Sequence, residues 1–455
     1  MIDSKVEALE KNKIGSLIAS YSIPAIIGMV VMASYNIVDR IFVGRGVGTD
    51  AISAIAITFP ITIVIMGFGQ LVGMGSMALI SITLGEKKTG EAEKILENAF
   101  LLVILISLSL STIIYLTMSP LLSLLGAVGD VHTLAMLYLS VLVFGIPFQF
   151  ACFSMNGVIR AEGSPTMALV TILISGVLNI ILNPIFIFVL HMGIRGSAFA
   201  TVVSQIIGAT WVLAYFTGKR SYLKLRRLSY DRKVVVRILA IGVSPLIMQV
   251  AGSFIAFIFN KTVLSYGGNL AIAVMGIGTS IMMLIMMPLY GLNQGLQPII
   301  GYNYGARHFG RVLEALRKGI FIATSVCLLG FFMTMLFSRE IMSVFNSEDE
   351  HLIRLGARAL KIFLLMLPLV GFQIVSWAYF QAVGKPKQSL ILTTTKQILF
   401  VIPLVLILPH FFGLDGVFVA APIADFLAAC FAGILLYLEV RRLKELEKDL
   451  IVVSV

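Results

Sequence analysis

Asp39 lies in the stretch SYNIVDRIFVGRG, about a turn and a half before a long apolar run gives out. If that run crosses a bilayer, an ionised carboxylate there costs roughly 2.5–3.5 kcal/mol on insertion scales, and acids carried at such a cost mark ion paths, proton relays or ligand sites. Tyr35 stands four residues before Asp39 and Asn36 three, so the spacing predicts one shared helical face. In SGVLNIILNPIFIF, Asn179 and Asn183 are four apart and stack on one face; in GSAFATVVSQ, Thr201 and Gln205 repeat the spacing. One carboxylate, two amides and a hydroxyl suit a hard monovalent cation or a proton. Amide and hydroxyl oxygens can coordinate a cation, but only Asp39 can supply its counter-charge. The competing account makes the asparagines helix-to-helix hydrogen bonds, worth about 0.6 kcal/mol on average in membrane bundles. That account serves equally well for either asparagine alone and poorly for a lone acid.

A second constellation lies near the other end of the chain. Lys396 of TTTKQILFVIPLVLILP and Asp425 of AAPIADFLAAC both fall near the middle of apolar runs. Each is costly alone, so they are expected to form a buried pair, serving either structure or substrate and proton handling. Pro24 removes one backbone hydrogen bond from the first run and is a candidate kink. Asn156 and Gln205 are the candidate substrate contacts, and no catalytic residue is expected.

The elements that must position these groups are membrane helices. The chain is 58% hydrophobic and 13% charged, with a mean hydropathy of +0.99, against about 25% charged for a soluble chain. Apolar runs of about 20 residues, the length that crosses a ~30 Å hydrocarbon core, begin near residues 16, 51, 95, 133, 166, 197, 237, 272, 315, 355, 388 and 414. The opening MIDSKVEALEKNKIG mixes acids and bases without a cleavage site and reads as a short cytosolic helix, not a signal peptide.

The pattern occurs twice. Pro24 meets Pro245 at an offset of 221 residues, and at the same offset Asp39 meets Asn260 and Pro165 meets Pro386. Gly85 meets Gly305 and Gly90 meets Gly310 at 220. Six runs are thus duplicated, and because six is even both copies enter the membrane from one side, a parallel repeat. The fold class is all-α integral membrane: twelve transmembrane helices in two pseudo-symmetric six-helix bundles around a central cavity. The expected divisions are a cytoplasmic N-terminal segment 1–15, an N-lobe 16–217, a basic linker 218–236, a C-lobe 237–440 and a cytoplasmic tail 441–455. Two such bundles can rock between inward-open and outward-open forms.

The net charge of +11 belongs to orientation. Most of the 34 Lys and Arg residues lie in the N-terminal segment, the even-to-odd connections and the tail, densest in GKRSYLKLRRLSYDRKVVVR. That asymmetry is the positive-inside signature and places both termini in the cytoplasm, in a multi-pass cell-membrane protein. Nucleic acid is not an expected partner; the bilayer is. Cys152, Cys327 and Cys430 are scattered without paired spacing, and no Cys/His metal cluster, phosphate-cradling loop or GxSxG motif occurs. A membrane enzyme is therefore excluded as a reading, and the duplicated lobes disfavour a channel.

These residues carry a resemblance over essentially the whole chain. YNIVDRIFVG with AISAIAITFP, IRAEGSPTMA with LNIILNPIFIF, GIRGSAFATVVSQ, YFQAVGKPKQSLILTTTKQ and GLDGVFVAAPIAD, in this order, resemble multidrug and toxic compound extrusion (MATE) transporters. The resemblance implies a two-lobed antiporter, without cofactor, that expels amphipathic and often cationic drugs against Na⁺ or H⁺. It is more similar to the DinF-like branch, whose first-half cation site matches Asp39, Asn179 and Thr201, than to the NorM-like branch, because LIMQVAGSFIAFIFNKTVL contains no acid. Related members commonly read LDPIFIF where this chain reads LNPIFIF, so Asn183 leaves one formal negative charge in the pocket instead of two. The implied ion site is Asp39, Asn179, Asn183 and Thr201, open to H⁺ or Na⁺, with Tyr35 and Asn36 beside it. A monomer is expected. The alternative on the same scaffold is a lipid-linked oligosaccharide flippase, which would want several cationic groups lining the first-half cavity; beyond Arg40 none is present.

Overall fold

A chain this apolar must satisfy its backbone internally, and long helices do so residue by residue. The computed structural model describes residues 3–345 and 349–454, and among them there is helix and no strand. Met1, Ile2 and Val455 of the expected terminal segments lie outside the described residues. A short amphipathic helix α1 (Asp3–Lys11) precedes α2 (Ile14–Gly46), α3 (Thr49–Gly85), α4 (Thr89–Leu124), α5 (Gly129–Ala161), α6 (Pro165–Pro184) and α7 (Ile194–Thr217). Then come α8 (Arg232–Gly305), α9 (Phe309–Leu336), α10 (Ser338–Phe345), α11 (Glu350–Phe363), α12 (Leu367–Ala382), α13 (Pro386–Thr394) and α14 (Ile402–Ser454). Single π-helical stretches follow α6 at Ile185–Val189 and α13 at Thr395–Val401.

Twelve spans emerge from these helices. Helix α8 is broken at Gly268 (φ 62°) and α14 at Gly413 (φ 58°), so each holds parts of two spans. Both glycines stand in the left-handed region, where a Cβ would be strained. Helices α11 and α12 meet at 45° and form one bent span. Side chains such as Leu116, Leu124 and Phe321 stay at least 70% exposed, as a surface facing hydrocarbon requires. Serine and threonine hydroxyls return to the carbonyl one turn back, as in Ser76 to Val72 (2.7 Å) and Ser81 to Met77 (2.8 Å), which hides them from an apolar surround.

The chain forms two compact units, Met1–Asn12 with Ile23–Gln249, and Lys13–Ser22 with Val250–Val455. Helix α2 therefore passes from the second unit to the first between Ser22 and Ile23, two residues from Pro24, and it stays helical through that proline.

In the first unit, glycines allow close packing of the kind membrane helices depend on. A Cβ at Gly73 would meet the Ser154 backbone at 2.9 Å, and the Ser154 hydroxyl donates to Gly69 O at 2.9 Å. Buried acids hold the basic linker after α7: Glu162 accepts from Tyr215, Ser221 and the Leu223 N–H, and Glu97 accepts from Ser229. In the second unit, a Cβ added to Gly371 of α12 would meet the backbone of Ala323 on α9 at 2.7 Å, and Ser22 donates to Leu292 O at 3.4 Å.

Candidate functional site

Three helices of the first unit converge on Asp39. Gly28 of α2 faces Ile172 of α6, where an added Cβ would meet the Ile172 side chain at 2.8 Å; Gly176 of α6 faces Val31 and Tyr35, at 3.3 and 3.6 Å from an added Cβ. These small residues bring α2 onto α6. At the start of α7, a Cβ on Gly196 would meet the Phe186 backbone at 2.9 Å, so the bare glycine seats α7 against the π-helical stretch that follows Asn183. The next residue, Ser197, then reaches Asp39.

The result is a chain of side-chain hydrogen bonds. Asp39 Oδ1 accepts from Asn183 Nδ2 at 2.5 Å and from the Ser197 hydroxyl at 2.7 Å. Asn183 Nδ2 also lies 3.3 Å from Asn179 Oδ1, and Asn179 Nδ2 donates to Thr201 Oγ1 at 3.0 Å. Asn183 and Ser197 are fully buried and Asn179 nearly so. Asn183 Oδ1 is buried without a hydrogen-bond partner, which makes it a ready oxygen ligand or an acceptor for water. Charge-assisted bonds such as the two on Asp39 are among the stronger ones proteins make. Tyr138 of α5, also buried, lies within electrostatic reach of Asp39.

The predicted residues divide. Asp39, Asn179, Asn183 and Thr201 come together as one line across α2, α6 and α7. Tyr35 is half-buried against Gly176 at the flank. Asn36 is not part of the line: it is exposed, and its amide returns to Met32 O at 2.7 Å. A three-residue step rotates it far enough round α2 that its own helix is the nearest acceptor. Arg40 turns away and lies over the Phe59 ring at 5.6 Å. Asn156 is buried, with its amide donating to Ala168 O at 2.6 Å, a bond between α5 and α6. Gln205 is half-buried, and its main-chain oxygen faces the Cys152 thiol at 3.6 Å. Ser197 is the member that the sequence reading passed over. Its signal was present, since it stands four residues before Thr201 on the same face of α7.

In the second unit, Lys396 and Asp425 pair at 2.6 Å, with their side chains 28% and 12% exposed. Lys396 lies on the π-helical stretch Thr395–Val401, an irregularity frequent at functional sites.

A twelve-span, duplicated helical fold with one carboxylate netted by amides inside the membrane defines an integral membrane transporter. The MatE family matches the chain twice, over residues 24–185 and 245–407, and the chain belongs to that family. Multidrug export protein MepA of Staphylococcus aureus (strain MSSA476) is 28% identical over 450 residues, covering 96% of this chain and 97% of MepA. MepA of Staphylococcus saprophyticus is 26% identical over 443 residues at the same coverage. Among solved structures, a MATE protein in its bent conformation superimposes with a TM-score of 0.91 at 27% identity, over 97% of this chain and 98% of that one. The outward-facing conformation of a multidrug resistance MATE family transporter superimposes at 0.89, also 27% identical, over 96% and 98% of the two chains.

Proposed function

We propose that this protein is a secondary-active exporter of amphipathic, cationic compounds, driven by inward proton flow through Asp39 in an alternating-access cycle. One observation carries the choice of ion: the groups aimed at Asp39 are an amide N–H and a hydroxyl, which serve a titrating carboxylate. A Na⁺ ion at the same carboxylate would require the Asn179 and Asn183 amides to turn their oxygens inward. The multidrug substrate class is supported by the MepA relatives, whose name states it of them.

In the cycle, ionised Asp39 holds α6 and α7 to α2 through Asn183 and Ser197. Protonation converts the carboxylate to a neutral acid, and hydrogen bonds that favour the ionised form lose strength. The three helices loosen and the cationic substrate loses the negative charge that attracts it. Proton and substrate compete for one charge, so the transporter exchanges them. A membrane potential adds about 2.3 kcal/mol per charge per 100 mV. The basic linker 218–236 and the Lys and Arg residues near both ends support a cytoplasmic position for both ends in the cell membrane. Each chain carries its own Asp39 site within one unit, which supports a working monomer.

The test is ethidium efflux from proteoliposomes under a pH gradient alone and a Na⁺ gradient alone, for the parent and Asp39→Asn. Efflux driven by protons and lost in the variant is the expected result. Drive by Na⁺ alone replaces the proton with Na⁺ in this reading. An Asp39→Asn variant equal to the parent sinks it.

A further inference from the structure

The second unit holds a buried polar file that the Asp39 site does not use. It begins at the Lys396–Asp425 pair. Gln373 Nε2 of α12 donates to the Asp425 main-chain oxygen at 2.7 Å. One residue on, Ile374 O accepts from Asn293 Nδ2 of α8 at 3.4 Å. One turn beyond Asn293, Gln297 Nε2 donates to Gln381 Oε1 at 2.7 Å. Two residues before Gln381 on α12, the Tyr379 hydroxyl donates at 3.2 Å to Glu439 of α14, which pairs with Lys385 just beyond the end of α12. From Gln373 to Gln381 the helix climbs about 12 Å at 1.5 Å per residue, so the amides step from the pair to one end of the unit.

Four atoms along this file, Asn293 Oδ1, Gln297 Oε1, Gln373 Oε1 and Gln381 Nε2, are buried without a protein partner. All four of these side chains are at least 90% buried. Groups in that state are matched in folded proteins by ordered water, which needs several polar partners at each stop. Three acceptors and one donor in series provide such stops. At the head of the file the Lys396 ammonium neutralises Asp425, so a metal cation meets no net charge there.

We propose that the file is a hydrated proton path from Lys396–Asp425 to the Glu439–Lys385 end of the second unit, a proton-exchange site separate from Asp39. In the forward step a hydronium in the file gives its proton to the Asp425 carboxylate, leaving the carboxylic acid and a water molecule. The ion pair opens, and Lys396 keeps its ammonium with no counter-charge; the reverse step restores the pair. Facing Asp425 are Lys396 from the π-helical stretch, Gln373 from α12 and the buried Cys327 thiol from α9.

Two experiments test this. In a transport-active background with Cys152, Cys327 and Cys430 replaced, Gln297→Cys and Gln373→Cys are exposed to a small cationic methanethiosulfonate reagent, with Leu296→Cys and Val375→Cys as buried apolar neighbours. Labelling at least tenfold faster at the two amide positions is expected; equal rates at all four overturn the hydrated file. Second, protons released by purified protein on adding ethidium are counted with a pH dye. Lys396→Met/Asp425→Leu, which replaces the pair by apolar groups and preserves folding, is expected to release about half as many as the parent. An unchanged count makes the pair structural and overturns the proposal. Asp39→Asn reads the first site in the same assay, so failure of either site is seen independently.

Discussion

The Asp39 cluster and the Lys396–Asp425 pair show two ways of keeping a carboxylate inside a membrane helix bundle. Both sit on equivalent parts of a duplicated scaffold, yet the repeat register sets Asp39 against Asn260, Asn179 against Phe400, Asn183 against Leu404 and Lys396 against Ser175. After the matching breaks at Gly193 and Gly413, both with φ 58°, Thr201 meets Ala421 and Asp425 meets Gln205. Each half kept the backbone device and exchanged the polar set. In the first half the charge is held by neutral donors. In the second it is cancelled by a built-in ammonium. Scaffold and charge placement are thus separable, and only the latter distinguishes the halves.

Variants can break that contrast. Lys396→Met strands Asp425, and removing one partner of a buried pair costs about 3–5 kcal/mol. The melting temperature in detergent is expected to fall by several degrees and to recover in Lys396→Met/Asp425→Leu. Asp39→Asn, which strands no charge but weakens the bonds from Asn183 and Ser197, should lower that temperature by less than Lys396→Met does. Asn183→Asp gives the first site a second carboxylate. The number of protons exchanged per ethidium, read from the pH gradient that just balances an ethidium gradient, should rise by about one over the parent. Ser197→Ala removes a hydrogen bond to a charged acceptor, worth about 1.5–3 kcal/mol, and should slow proton-driven efflux roughly tenfold, with Ser197→Thr restoring most of it. Asn36→Ala, on the exposed side of α2, should change efflux less than twofold; a loss comparable to that of Ser197→Ala would move the boundary of the site to include the outer face of the helix.

The spans were legible because lipid imposes a length and an apolarity that few other environments do, and the repeat because Pro24 and Pro245 keep a constant spacing with their neighbours. The line Asp39, Asn183, Asn179 and Thr201 was legible because four-residue steps stack on a helix. Ser197 was hidden by its commonplace setting near a helix start, although its step to Thr201 carried the same information. Asn36 shows the limit of spacing: an amide one turn from its own carbonyl has a local acceptor that no pattern between helices reveals. The file of Asn293, Gln297, Gln373 and Gln381 stayed hidden because it joins two helices, α8 and α12, far apart in sequence, and such amides look ordinary until their burial is seen.

The passage of α2 from one compact unit to the other has a consequence for the making of the protein. Lys13–Ser22 belong with Val250–Val455, so they leave the ribosome more than two hundred residues ahead of the chain they settle against. Synthesised well before that chain, they are packed only once it has emerged. Until then the first span is held by only part of its length, and an interruption of synthesis before residue 250 leaves a first half whose opening helix lacks the lodging of its first nine residues, Ile14–Ser22.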